Sequence, residues 1–140
     1  MEYARQAVGQ LDHIALVVDD LATAIDTYRT LFFAETTAPE RNEHYGFSWA
    51  FVDLGYSRLR LMQPDGPGAA VVSFFGWDAG GGIHHVCYRV EDIAAARDRL
   101  EIAGARRMGD GGFKTGADGR KVLFLRQAGE GTPLVKLEQV

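Results

Sequence analysis

Residues 81–92 read GGIHHVCYRVED and repeat the character of residues 11–20, which read LDHIALVVDD. When the two are aligned without gaps, His85 falls on His13, and each copy is a short apolar run closed by an acidic pair. A helical pattern follows each copy. Because a unit that recurs along a chain marks a duplicated structural module, the sequence predicts two related halves.

Each half reads as one strand, one helix and three further strands. The apolar runs are short and rich in β-branched residues, which is typical of buried strands. In the first helix Leu21, Ile25, Tyr28 and Phe32 recur at helical spacing, and Gly104 is expected to stop the second. The predicted elements are strands at 11–18, 34–38, 47–54 and 58–62 with a helix from residue 21, and strands at 83–90, 105–108, 121–126 and 134–140 with a helix at 93–103.

The predicted fold class is therefore α+β, with two tandem βαβββ modules. We expect a lead-in at residues 1–10, the first module at 11–64, a linker with a short helix at 65–82 and the second module at 83–140. The modules are expected to form a curved mixed sheet around a pocket, with the helices on the convex side.

Strand alternation predicts which side chains face this pocket. Successive side chains point to opposite faces of a strand, and the face that packs against a helix must be the more apolar one. This rule assigns His13 and Arg60 in the first module, and His85 and Lys136 in the second, to the pocket face.

Composition excludes several classes of function. The 140-residue chain carries a net charge of −4, whereas general nucleic-acid binding needs a basic face. No apolar run approaches the roughly 20 residues of a membrane span, and no apolar stretch typical of a signal peptide follows Met1. The single cysteine, Cys87, excludes an internal disulfide and favours the reducing cytoplasm.

The repeat resembles the vicinal oxygen chelate (glyoxalase/bleomycin-resistance) superfamily, and within it the methylmalonyl-CoA epimerases. The segments that carry the resemblance cover most of the chain, at residues 11–32, 81–100, 104–106, 114–125 and 133–140. The resemblance implies an isomerase or lyase whose partner is a small-molecule substrate, an acyl-CoA or a carboxylate. It also implies a homodimer.

The resemblance implies four positions that hold a divalent metal, and two of them are cationic here. His13 and His85 match the two histidines, but the two oxygen ligands fall on Arg60 and Lys136. Arginine offers no lone pair to a metal. At ~4 Å and an effective dielectric of ~20, each unit of charge product is worth roughly 4 kcal/mol of repulsion. We therefore expect no metal cofactor, or low-occupancy zinc, cobalt, manganese or nickel on the two histidines.

Three functions stay open. In a metal-free epimerase, isomerase or lyase, Arg60 and Lys136 would stabilise the substrate oxyanion, and neutral His13 and His85 would move protons. A non-catalytic module that sequesters a small ligand is the alternative. A metal-dependent epimerase or lyase is the third, with Asp53, Glu138 or a substrate oxygen completing the metal shell.

Other features are less decisive. Cys87 shares the face of His85, where a buried thiol is usually an apolar filler. The alternating aromatic row of Phe47, Trp49 and Phe51 is typical of a core, or of a flat ligand site if it faces the pocket. The loop at 109–120 is either a solvated hairpin loop or a phosphate contact through Lys114 and Arg120. An apolar patch at 71–77 is a candidate dimer surface.

Overall fold

The computed structural model describes residues 9–66, 68–71, 82–116, 118–127 and 133–140. The chain forms two compact units. The first is His13–His84, and the second is His85–Val140 together with the start of the chain up to Asp12.

The first unit contains one helix and a mixed sheet. Its sheet runs in the order β2, β4, β5, β1, and β3 pairs with β4. Strand β1 is parallel to β5, and β4 is antiparallel to its neighbours β2, β3 and β5. The elements are β1 (Gln10–Val17), α1 (Leu21–Leu31), β2 (Glu35–Thr36), β3 (Glu40–Asn42), β4 (Phe47–Asp53) and β5 (Arg58–Pro64).

The second unit repeats this plan. Its sheet runs in the order β6, β10, β9, β7, and β8 pairs with β9. Strand β6 is parallel to β10, and β9 is antiparallel to its neighbours β7, β8 and β10. The elements are β6 (Gly82–Val90), α2 (Ile93–Ile102), β7 (Arg106–Arg107), β8 (Lys114–Thr115), β9 (Lys121–Arg126) and β10 (Leu134–Gln139).

The α+β class and the two βαβββ modules are confirmed. Two short strands, β3 and β8, were not predicted; they span three and two residues and show no readable alternation. The loop predicted at 109–120 is therefore wrong in part, since β8 lies inside it. Most of the linker in which a short helix was predicted, and most of the apolar patch at 71–77, falls outside the described residues. Within the described part of the chain, neither helix is long and apolar enough to cross a bilayer.

Each helix packs on one face of its own sheet and leaves the other face for polar residues. Under α1 the core consists of Leu21, Ile25, Ala50, Val52 and Leu61. Under α2 it consists of Val90, Ile93, Ala96, Leu123, Leu125, Val135 and Leu137. The strand alternation that was read from the sequence is confirmed by these two clusters, because no residue predicted to face the pocket belongs to either.

The two helices begin in the same way. Asp20 and Asp92 cap them, each accepting a hydrogen bond from the backbone N–H three residues later at 3.1 Å. A glutamine at the end of a distant strand adds a second acceptor. The Leu21 N–H donates to Gln63 Oε1 at 2.7 Å, and the Ile93 N–H donates to Gln139 Oε1 at 3.1 Å.

These glutamines fix the correspondence between the two halves. Gln63 lies three residues after Arg60, and Gln139 lies three residues after Lys136. Since each glutamine bonds the first turn of its own helix, β5 and β10 are held in the same register relative to α1 and α2. Arg60 and Lys136 therefore occupy equivalent positions.

We expect Gln139→Ala to lower the free energy of unfolding by about 1–2 kcal/mol, because the Ile93 N–H would be left without this acceptor in a buried position. Gln139→Glu retains an acceptor, so its free energy of unfolding should fall by less. Gln10→Ala, at an exposed strand end, is the matched control. Urea unfolding measures all three, and an equal loss in Gln139→Ala and Gln10→Ala would contradict this role.

Candidate functional site

In the first unit, a histidine, a phenylalanine and an arginine meet on the sheet face opposite the helix. His13 on β1 is 2% exposed, and its ring lies edge-on to Phe51 of β4 with centroids 5.4 Å apart. The Arg60 guanidinium on β5 is 5.9 Å from the same ring. A candidate base, His13, and a fixed cation, Arg60, therefore both lie beside the ring of Phe51.

The second unit repeats this group with a lysine. His85 on β6 is 1% exposed and lies edge-on to Phe124 of β9, with centroids 5.3 Å apart. The Lys136 Nζ on β10 is 5.7 Å from the centroid of Phe124. We call His13, Phe51 and Arg60 the first triad, and His85, Phe124 and Lys136 the second triad.

Strand register explains why the triads match. Phe51 is directly opposite Arg60, and Phe124 is directly opposite Lys136. On the other side of the cation, the parallel neighbour is Ala15 or Cys87, two residues after the histidine. The same three strands thus hold the same three kinds of side chain in each unit.

The Arg60 guanidinium is set among aromatic rings. It lies 4.4 Å from the Trp49 ring centroid and 5.6 Å from that of Phe47, and the residue is only 9% exposed. The aromatic row therefore lies on the face opposite α1 rather than in the core beneath the helix. Stacking uses the flat face of a guanidinium, so its N–H edges stay oriented to donate to an oxygen in the plane.

The four residues in the implied metal positions do not fit a divalent ion. Each unit offers one imidazole, but the partner position holds a guanidinium or an ammonium group, and neither supplies a lone pair in its charged form. Asp53, one candidate replacement ligand, is exposed. In the second unit, potential ligand atoms of Asp12 and Cys87 lie within 4.8 Å of each other, but Asp12 also forms an ion pair with Arg89 at 3.5 Å.

Glu138, the other candidate ligand, is a buried acid on the face of Lys136. It is 6% exposed. Burial raises the pKa of Glu138 above its usual 4.5, and a hydrogen bond to Asp118 and the charges of Asp118 and Asp12 raise it further, against the opposing effect of Lys136. The Glu138 side chain is therefore engaged with Asp118 in this structure.

Asp118 is the acceptor in this carboxyl pair. Burial acts to raise its pKa, but hydrogen bonds from the Arg120 backbone N–H and from Glu138, with the Arg120 charge, outweigh burial and lower that pKa below 3.8. Whenever Glu138 carries its proton, its carboxyl is the donor and the Asp118 carboxylate is the acceptor of the hydrogen bond between them. This bond connects β10 to the segment before β9, and Asp118 was not singled out by the sequence.

We expect Glu138→Gln to stabilise the protein, and we expect this gain in stability to grow as pH rises. A raised pKa means that folded Glu138 keeps a proton that the unfolded chain releases, so wild-type stability falls as pH climbs from about 4.5 through the raised pKa. Glutamine still donates to Asp118 but does not titrate. Thermal unfolding from pH 4 to 8 should show a Tm difference that increases with pH, and Glu40→Gln, at an exposed position, is the control. A pH-independent difference would contradict this assignment.

The loop cations have acidic partners. Lys114 Nζ bonds Asp110 at 2.8 Å, and Arg120 Nε lies 3.6 Å from Asp118.

Arg58, which sequence reasoning did not select as a site residue, lies beside the first triad. Its guanidinium carbon is 3.7 Å from the centroid of Phe51. Its strand parity, shared with Arg60, was the available signal.

Comparison with known proteins identifies the family. Residues 12–124 match the family model of the glyoxalase/bleomycin resistance protein/dioxygenase superfamily. The chain is 44% identical to the ethylmalonyl-CoA/methylmalonyl-CoA epimerase of Cereibacter sphaeroides, over 95% of this chain and 99% of that protein. It is 36% identical to the mitochondrial methylmalonyl-CoA epimerase of Mus musculus, over 94% of this chain and 74% of that protein.

A solved structure agrees with this similarity. The methylmalonyl-CoA epimerase of Streptomyces coelicolor, in complex with 2-nitronate-propionyl-CoA, superimposes with a TM-score of 0.76 at 25% identity, covering 95% of this chain and 98% of that one. The repeated modules, the paired histidines and these similarities lead to one conclusion: the chain belongs to the vicinal oxygen chelate (glyoxalase/bleomycin resistance protein/dioxygenase) superfamily, among relatives that are methylmalonyl-CoA epimerases.

Proposed function

We propose that this protein is an epimerase of malonyl-type acyl-CoA thioesters that works without a divalent metal. His13 and His85 would move the proton at the carbon between the two carbonyl groups, and Arg60 and Lys136 would stabilise the enolate oxygen. The observation that carries the proposal is the triad found twice at equivalent positions, in a chain 44% identical to an ethylmalonyl-CoA/methylmalonyl-CoA epimerase.

Each triad contains the parts that this chemistry needs. An imidazole that takes or returns a proton as general base or acid contributes about 10²–10⁴-fold to a rate. A fixed cation stabilises the negative charge that develops on the thioester oxygen as the proton leaves. Phe51 and Phe124 lie 5.9 and 5.7 Å from these cations, and a locally lower dielectric beside the rings would strengthen the interaction of the cation with the oxyanion.

The duplication suits an epimerase. Inversion at a carbon requires removal of a proton and its return to the opposite face, so two imidazoles on separate strands are more useful than one. We propose that each histidine serves one epimer. Function as a homodimer and location in the cytoplasm stay predictions, and an acyl-CoA is the proposed partner because the related epimerases are named for such substrates.

Incorporation of solvent deuterium tests this function. The protein is incubated in D₂O with one epimer of methylmalonyl-CoA and a metal chelator, and mass spectrometry follows the C2 position. We expect deuterium uptake and formation of the other epimer well above the protein-free rate. Binding of the thioester without deuterium uptake would instead identify a sequestering module and reject the epimerase.

A further inference from the structure

Arg58 lies on the same face as the first triad, one alternation before Arg60. Residues two apart on a strand point to the same side of a sheet, so both arginines on β5 project to the face opposite α1. Arg58 is half-buried, whereas Arg60 is 9% exposed. Two permanent cations therefore lie side by side beside one candidate base.

The aromatic ring of Phe51 is the common neighbour of all three groups. The Arg58 guanidinium stacks 3.7 Å from its centroid, the Arg60 guanidinium is 5.9 Å away, and His13 meets it edge-on at 5.4 Å. The register agrees with this arrangement, since Arg58 is the direct partner of His13 on β1 and Arg60 is the direct partner of Phe51 on β4.

The substrate class proposed above carries two negative centres near the reacting carbon. One is a permanent carboxylate, and the other is the thioester oxygen, which becomes negative only as the proton leaves. One guanidinium can form a two-pronged bond with one of them. A second guanidinium on the same face can hold the other, and stacking on Phe51 fixes the plane in which its N–H groups donate.

We infer that Arg58 is a specificity-determining residue that binds the free carboxylate of a malonyl-type thioester, while Arg60 serves the thioester oxygen. This inference rests on the proposed function. It predicts that the protein distinguishes a malonyl thioester from a simple acyl thioester by binding, before any chemistry takes place. Asp53, which lies directly opposite Arg58 on β4, is an acidic neighbour that would compete with the substrate carboxylate for this guanidinium.

Calorimetric affinities for malonyl-CoA and acetyl-CoA test the inference, because the two ligands differ by one carboxylate. The wild type should bind malonyl-CoA at least about tenfold more tightly, the size expected for a hydrogen bond to a charged group. Arg58→Gln should lose most of this preference while keeping its affinity for acetyl-CoA. Arg58→Lys keeps the positive charge but lacks the planar guanidinium that forms two parallel hydrogen bonds, so it should retain part of the preference for malonyl-CoA. Arg99→Gln, at an exposed position of α2, is the matched control.

An unchanged preference in both Arg58 variants, or no preference in the wild type, would overturn the inference. Circular dichroism confirms folding, and Arg58→Lys decides the question if Arg58→Gln does not fold. The proposed function fails separately. Absence of deuterium exchange in the wild type, with preference lost in Arg58→Gln, would reject the epimerase and keep Arg58 as a carboxylate-binding residue.

Discussion

His13→Gln and His85→Gln are each expected to lower the rate of epimerisation of methylmalonyl-CoA by about 10²–10⁴-fold, the usual contribution of a general acid or base. Each histidine is almost fully buried against a phenylalanine, and glutamine fills much of the same space without accepting a proton near neutral pH. Stopped-time chiral analysis of the product measures the loss. His44→Gln is the matched control, since His44 is exposed.

The exchange reaction adds a sharper criterion. If each imidazole serves one epimer, each single variant should still wash deuterium into one epimer of the substrate, and the two variants should retain opposite ones. If both variants lose exchange with the same epimer, the two histidines do not each serve one epimer. Full activity in either variant would remove that histidine from the mechanism.

Lys136→Gln is expected to lower the turnover rate about 10²–10³-fold, which is the usual effect of removing one group that stabilises an oxyanion. The KM should change less, because the thioester oxygen becomes negative only on the way to the transition state. Lys136→Arg retains the positive charge beside Phe124 and should keep more of the rate. Steady-state kinetics with equal losses in both variants would contradict a role based on charge.

The same electrostatic reasoning predicts a gain of function. Arg60→Glu combined with Lys136→Glu exchanges two cations for two oxygen ligands, so the double variant should bind cobalt or zinc near one per chain. Elemental analysis after metal loading and desalting measures this. If the double variant binds no more metal than the wild type, the positions of the two cations do not correspond to metal-ligand positions.

Much of the fold could be read from local pattern. The duplicated runs around His13 and His85, the helix-stopping Gly104 and the alternation along β1 and β5 are properties of neighbouring residues. The alternation also placed Arg60 and Lys136 on the face opposite the helices, where the structure has them. Strands as short as β3 and β8 carry no such pattern, because two or three residues are too few to show alternation.

The missed features depend on residues that are far apart in the chain. Gln63 and Gln139 bond helix starts 42 and 46 residues away, and nothing local marks them as capping residues. The hydrogen bond between Glu138 and Asp118 forms only because the fold places the segment before β9 beside β10. Arg58 could not be identified as a site residue from the sequence, because strand parity alone does not distinguish a stacked guanidinium from one that extends into water. Its position against the Phe51 ring in the structure identifies it.

We propose that positive charge beside each imidazole takes the place of a divalent metal in this protein, and the metal content of active protein tests that proposal most directly. The purified wild type is assayed for deuterium exchange, and its transition metals are quantified in the same sample before and after dialysis against chelator. We predict far less than one metal per chain and an exchange rate that dialysis leaves unchanged. Nearly one metal per chain, with exchange lost on its removal and restored by cobalt or zinc, would contradict the account.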